Sequence, residues 1–215
     1  MSQSPKRVVA LYDKVASDYA DNFALEHDKK PMDQEILARF VDLVGESRPL
    51  WDLGCGPGET TRYLQRFGLN VSGLDLSPNN VKEAIKRSPE LHFEQGDMLA
   101  LDLTSSSVAA IVSFYAIVHF SLEQVETAFS EMLRVLKPGG HLLFTYHIGN
   151  ETLHIKEFLD QEVDILFMLF EVDEIEALLQ KVGFSKIETI EREPYGEDVE
   201  YQSRRAYVFA QKTLS

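Results

Sequence analysis

The residues best suited to chemistry lie in one octet, Trp51, Asp52, Leu53, Gly54, Cys55, Gly56, Pro57 and Gly58, between a short apolar run and a helical one. Backbone approaches a ligand closely only where side chains are absent, and the amides that open a helix attract negative charge. Gly54, Gly56 and Gly58 therefore predict a nucleotide-type site, in which Cys55 offers backbone and packs its thiol rather than acting as a nucleophile. Asp52 beside the loop could hold a cationic amino group. Asp75, followed by Leu76, could accept hydrogen bonds from both hydroxyls of a ribose. Asp97 could accept one from an adenine amino group, with Met98 against the ring. A dinucleotide fingerprint fails because its third glycine position is Glu59, so the spacing is GxGxG. A nicotinamide oxidoreductase is kept as a rival on the same fold.

Two histidines follow strands on the same side. His119, in Tyr115, Ala116, Ile117, Val118, His119, Phe120, is the leading candidate base, and its bland alternative is a structural histidine capping the next helix. His147 could orient a substrate, act as a base, or be satisfied by loop backbone. His154 lies on a lid-like stretch whose helical placement would put it at the surface. Arg192, Tyr195, Arg204 and Arg205 could meet an anionic acceptor or be solvated. No acidic cluster is spaced to hold a metal.

The elements that must position these residues follow from hydrophobic periodicity. Leu11 to Phe23 and Gln34 to Val44 read as helices, the second with Asp33 available as a cap near Pro31. Strands are expected at Leu50–Leu53, Asn70–Leu76, Leu91–Glu94, Val108–Phe114 and His141–His147, and the helices between them at Glu59–Phe67, Pro78–Arg87 capped by Ser77, and Glu123–Leu136. This alternation predicts βαβ crossovers and a parallel sheet. Val163 to Phe170 would wall a pocket or complete the core. A helix over Asp173–Val182 precedes strands at Phe184–Glu193 and Glu200–Gln211, joined by a turn at Pro194, Tyr195 and Gly196 as an antiparallel hairpin. No boundary divides residues 1–215, read as one domain: 1–48 covering helices, 49–148 a ligand-binding core, and 149–215 a substrate-side segment with the hairpin.

Composition excludes several classes. The chain has 215 residues, 44% hydrophobic and 26% charged, with 21 Lys and Arg against 35 Asp and Glu for a net charge of −14. Such a surface repels nucleic acid and anionic lipid headgroups. One cysteine makes no internal disulfide, no apolar run reaches the roughly 20 residues of a membrane span, and the N-terminus lacks a signal-peptide core. A cytoplasmic protein bound to neither nucleic acid nor membrane is expected; the oligomeric state is left open.

The glycine loop, the three strand-end acids and the turn Leu136, Lys137, Pro138, Gly139, Gly140 together resemble class I S-adenosylmethionine (AdoMet)-dependent methyltransferases. The small-molecule branch related to quinone-biosynthesis methyltransferases is the nearest in pattern. The resemblance covers about residues 8 to 147 by motif and the final hairpin by layout. It implies a Rossmann-like, mostly parallel seven-stranded α/β sheet with helices on both faces, AdoMet as cofactor, S-adenosylhomocysteine as product, and a small-molecule methyl acceptor. It also implies AdoMet contacts from Tyr115 and from the helix carrying Tyr12 and Tyr19. Relatives often carry a Phe and Asp pair where this chain has Val108, Ala109 and Ala110, off the cofactor. A non-catalytic AdoMet-binding protein is the second rival.

Overall fold

Val108–Phe114, apolar at nearly every position, is the central strand of a seven-stranded sheet in the computed structural model, which describes residues 3–45 and 49–214. The ends of the expected 1–48 and 149–215 segments, at residues 1–2, 46–48 and 215, lie outside the described residues. The strands are β1 Leu50–Leu53, β2 Val71–Asp75, β3 His92–Gln95, β4 Val108–Phe114, β5 Leu136–His147, β6 Thr152–Phe158, β7 Gln161–Met168, β8 Phe184–Arg192 and β9 Arg205–Lys212. The helices are α1 Pro5–Asn22, α2 Pro31–Val44, α3 Glu59–Gln65, α4 Pro78–Arg87, α5 Leu122–Val135 and α6 Val172–Val182.

The sheet order is β3-β2-β1-β4-β5-β9-β8. Strands β1 to β5 run parallel, while β9 pairs antiparallel with both β5 and β8. Alternate residues of the central strands enter two different cores, which is why apolar residues dominate them. Ile111, Leu142 and Phe144 pack with α5 and α6, while Ala110, Val112 and Leu143 pack with α2 and α3. Strand order reverses between β1 and β4, and at that switch point the carboxyl ends of an open parallel sheet leave a crevice.

Local signals explain the helix starts. Ser77 caps α4 by accepting from the Asn80 amide, Ser121 and Gln124 form a reciprocal capping box on α5, and Gly183 ends α6 in the left-handed region. Asp33 is not a cap. Lys30 holds that position, and Asp33 sits fully buried in the first turn, accepting from the Tyr207 hydroxyl of β9.

Three other expectations are corrected. The turn at Lys137–Gly140 lies inside β5 as an irregularity, where pairing with β4 shifts from Val108↔Leu136 to Ala110↔His141. The lid-like stretch is not helical, because β6 and β7 form a separate antiparallel hairpin. Strand β9 begins at Arg205, so residues 193–204 form a long connection in place of a tight turn. No described helix is long and apolar enough to cross a membrane.

That long connection is tied down by charge. Arg192 grips Glu200 with both terminal nitrogens, one of them at 2.9 Å, and its Nε donates to the Tyr207 hydroxyl at 2.7 Å. Glu200 also meets Lys30 at 3.3 Å and accepts from the Tyr195 amide at 2.8 Å. Removing one partner of a buried pair strands the other charge away from water. Arg192→Ala is therefore expected to lower the unfolding free energy by about 3–5 kcal/mol, read from the urea midpoint, whereas Arg39→Ala, which breaks a surface pair with Glu188 and a contact with the Phe209 ring, costs about 1–2 kcal/mol.

Candidate functional site

The loop after β1 crosses the end of β2, and its backbone is held there by hydrogen bonds. The Gly54 and Cys55 amides donate to the Leu74 carbonyl at 2.7 and 3.1 Å, and the Gly56 amide donates to Asp75 Oδ2 at 2.9 Å. Gly54 has a φ of 74°, and a Cβ there would lie 2.3 Å from the Cβ of Ala116. Only glycine fits a backbone pressed this closely against the segment after β4. Asp75 is fixed further by the Ser77 amide at 2.8 Å and the Asn80 side-chain amide at 3.2 Å. Burial raises its pKa, opposed by those hydrogen bonds.

Two adjoining cavities open along this edge, of about 710 and 1490 Å³ counting their mouths. Tyr12, Tyr19, Gly54, Gly56, Phe114 and Tyr115 line both, so the cavities are continuous at the glycine loop. The smaller is completed by Asp75, Leu76, Asn80, Asp97, Met98 and His119 among others. The larger, termed the chamber below, adds Cys55, Glu59, Lys30 and His147, with Phe158, Phe167 and Met168 from the β6–β7 hairpin. The Val163–Phe170 stretch thus divides: Phe167 and Met168 face the chamber, and Phe170 belongs to the core.

The structure brings together most of the residues singled out in the sequence. Tyr19, Gly54, Gly56, Asp75, Leu76, Asp97, Met98, Tyr115 and His119 share the smaller cavity, and Cys55 and His147 line the chamber. Asp52 and Gly58 line neither. Asp52 is buried under the loop, where the Thr61 hydroxyl donates to it at 2.6 Å and desolvation lifts its pKa to about 7. Its carboxylate faces the Thr61 hydroxyl and neither cavity. Gly58 instead caps α3 in the left-handed region, with Phe93 packed where its Cβ would be. Cys55 is buried and its thiol pKa is raised by desolvation, in keeping with packing.

His119 is held at both ring nitrogens. Nδ1 donates to the Leu166 carbonyl of β7 at 3.1 Å, and Nε2 accepts from the Tyr12 hydroxyl of α1 at 2.9 Å. Desolvation lowers its pKa to about 4 and raises that of Tyr12, so the pair is neutral. Its Nε2 lone pair faces the Tyr12 hydroxyl, so a proton would reach it only by way of that hydroxyl. His147 differs. Only Nδ1 is engaged, with Ser203 Oγ at 2.7 Å, and burial together with Arg205 and Lys30 lowers its pKa to about 3. Its ring lies 5.1 Å from that of Tyr115, whose backbone is left-handed at φ 51° and pinned by the Thr145 hydroxyl and carbonyl.

Asn80 carries no mark in the sequence beyond its place in a helix. Its Oδ1 is buried at the cavity wall with no partner among the described residues, directly beside the Asp75 carboxylate. The signal that could have found it is its position three residues after the capping Ser77, which turns the side chain back toward the strand end. Lys30, Glu26 and His27 are likewise missed by sequence reasoning, since nothing local marks them as pocket residues.

A profile described as a methyltransferase domain matches residues 51–144, which contain the glycine loop and all three strand-end acids. The chain is 30% identical over 178 residues to the malonyl-[acyl-carrier protein] O-methyltransferase of Pseudescherichia vulneris, covering 75% of this chain and 67% of that protein. The chain belongs to the class I AdoMet-dependent methyltransferases. It is also 30% identical over 144 residues to the demethylmenaquinone methyltransferase of Renibacterium salmoninarum, covering 66% of this chain and 60% of that one. It matches as little as 37% and 47% of the length of other curated relatives. A SAM-dependent methyltransferase from Methanosarcina mazei has the same fold, with a TM-score of 0.74 at 18% identity over 82% of this chain and 98% of that one. The family's donor suits the smaller cavity, where an unpartnered acceptor and a carboxylate stand together as a ribose diol requires.

Two buried neutral histidines make stability depend on pH. The unfolded histidines bind a proton near pH 6.5, whereas the folded ones wait until about pH 4 for His119 and about pH 3 for His147. Between these values the unfolded histidines carry more protons, so their contribution to stability is lost as pH drops below about 6.5, while the raised carboxyls of Asp52, Asp75 and Glu59 act in the opposite direction. From about pH 7 to about pH 4 the melting temperature of the wild type should therefore fall relative to that of a His119→Asn, His147→Asn double variant.

Proposed function

We propose that the protein transfers the methyl group of AdoMet to a small-molecule acceptor by in-line displacement, with residues 1–215 working as one catalytic unit. The observation that carries this reading is the continuity of the two cavities at Gly54, Gly56 and Tyr115. A donor seated in the smaller cavity would face an acceptor in the chamber with little protein between them. AdoMet bound there supplies an electrophilic methyl on a sulfonium, and the charge disperses during transfer, so alignment and exclusion of water do most of the work.

In this reading Asp75 and Asn80 Oδ1 receive the ribose hydroxyls, Asp97 and Met98 hold the adenine beside Leu76, and the Gly54–Gly58 loop passes the methionine portion. Glu59 and Glu26 line the far side of the loop and replace Asp52 as partners for the ammonium. Tyr12 and Tyr19 on α1 close over the donor, and His119 is a positioning residue that fixes the Tyr12 hydroxyl and joins α1 to β7. The named acceptors of the relatives, a demethylmenaquinone and a malonyl-[acyl-carrier protein], differ from one another, so they support methyl transfer without choosing the acceptor here. Glu59 at the third glycine position speaks against a nicotinamide cofactor.

Isothermal titration tests the donor site. Saturable AdoMet and S-adenosylhomocysteine binding is expected, tighter than that of NAD. Asp75→Asn should weaken it roughly 10- to 100-fold, the loss of charged hydrogen bonds. No saturable binding by the folded wild-type protein would overturn the reading.

A further inference from the structure

The chamber has an apolar wall and one polar end. Phe23, Leu153, Ile155, Phe158 and Phe167 supply the wall. At the polar end, His147, Tyr115 and Arg205 converge: the His147 ring lies 5.1 Å from the Tyr115 ring, and the Arg205 guanidinium 5.5 Å from that same ring.

Hydrogen bonding sets the tautomer of His147. Arg205 Nη1 donates to Ser203 Oγ, which turns the hydroxyl hydrogen away from the guanidinium. The acceptor within its reach is His147 Nδ1 at 2.7 Å. Nδ1 therefore accepts, and in a neutral ring Nε2 carries the hydrogen. Nε2 has no partner among the described residues, so an N–H donor is left for the chamber. Arg205 is 2% exposed, and its Nε is buried with no partner among them. The charges that reach the His147 ring are Arg205, Lys30, Arg192 and Glu200, members of an ion-pair cluster that also holds Glu26 and Asp33.

Among the described residues, no other histidine of the two cavities has a ring nitrogen without a partner. His27 is engaged at both nitrogens, by Asp33 at 3.3 Å and Thr60 at 3.0 Å. His119 is likewise engaged at both, Glu26 is paired with Lys30, and Glu59 with Arg62. Glu157 is exposed at the rim. An acceptor that must lose a proton before attack, such as an alcohol or an ammonium, finds no free histidine nitrogen to take it. An acceptor that is already an anion needs nothing.

We propose that the chamber takes a carboxylate on an apolar body, and that His147 presents its Nε2–H to that carboxylate instead of acting as a base. This rests on the methyltransferase reading above. A carboxylate oxygen forms the new bond to the methyl carbon as the carbon–sulfur bond breaks. The bonding pair of that broken bond stays on sulfur, no proton moves, and the products are a methyl ester and S-adenosylhomocysteine. His147 is a positioning residue for the carboxylate.

The test uses the full chain. Octanoate and trans-cinnamate are titrated into protein saturated with S-adenosylhomocysteine, beside 1-octanol, cinnamyl alcohol and octylamine, and the same five are then offered with AdoMet. Saturable binding and methyl-ester formation are expected for the carboxylates alone, with kcat flat from about pH 6.5 to about pH 9 because no proton is lost. His147→Phe should raise the carboxylate Kd and KM roughly 10- to 100-fold with the AdoMet Kd unchanged, while His147→Gln, which keeps a donor, should recover most of the loss. AdoMet binding without binding or methylation of either carboxylate overturns the acceptor assignment alone. So does methylation of the alcohols or the amine with a rate that climbs with pH. Absence of AdoMet binding overturns the donor reading beneath it.

Discussion

Lys30, Arg192 and Arg205 are set against Glu26, Asp33 and Glu200 in one largely buried cluster under the chamber, and that balance is the constraint on which the rest depends. Charges out of water stay ionised only while opposite charges and hydrogen bonds surround them. Burial alone would push the Glu200 carboxyl up, yet the Arg192 guanidinium and the Tyr195 amide hold it down at about 2. The six residues come from opposite ends of the chain, from the segment entering α2 and from the β8–β9 hairpin. Lys30–Glu26 and Arg192–Glu200 pair within their own segments, while Lys30–Glu200 and Arg192–Asp33 form only when both ends have docked on the sheet. The cluster therefore makes the floor of the chamber a product of the whole fold.

The opposite wall is held in a different way. The β6–β7 hairpin has few buried side chains of its own, with only Ile165 fully enclosed. Its position depends on hydrogen bonds from distant side chains to its backbone. The Gln3 amide pairs with both polar groups of Leu166, donating to the carbonyl at 2.5 Å and accepting from the amide at 2.7 Å, and His119 donates to the same carbonyl. Lys14 donates to the Glu162 carbonyl at 2.9 Å. Strand β7 would otherwise be an open edge, and these contacts occupy it. Tyr12, reaching His119 from the same helix, brings the lining of the smaller cavity and the wall of the chamber to one joint.

How much of this was legible depends on whether the cause was local. Strand β4 could be read because burial on both faces demands apolar residues throughout, and α4 because Ser77 and Pro78 announce its start. The β6–β7 hairpin could not. Its turn places Leu159 and Asp160 both at positive φ, 50° and 57°, a conformation normally signalled by Asn or Gly. Its strands, exposed on one side and half-buried on the other, carry charged residues that suggest a solvated segment. Asp33 misleads for a similar reason. An aspartate two residues after a proline looks like a cap, and only Tyr207, 174 positions away, shows why it is buried instead. Glu200 looks like the start of a strand because Arg192 and the Tyr195 amide, which bend the chain there, act through the fold and not through neighbours in sequence.

The same distinction separates the two halves of the site. The smaller cavity is arranged around backbone, the amides of a glycine loop, strand ends and a helix start, with Asp75 locked by three of its neighbours. Backbone geometry needs particular residues at fixed spacing, and so it leaves a motif. The chamber is built from side chains on α1, the turn before α2, the β6–β7 hairpin and the residues before β9, each free to change as long as its partner changes with it. His147 belongs to both kinds of construction. Its place at the end of β5 could be read from the order of strands, but its chemistry is set by Ser203 and Arg205, fifty-six and fifty-eight residues further on. A histidine in that position would present a lone pair at Nε2 if Ser203 accepted from it, and presents a hydrogen there because the guanidinium turns the hydroxyl around. The strand places the ring, and the antiparallel end of the sheet decides which nitrogen holds the proton.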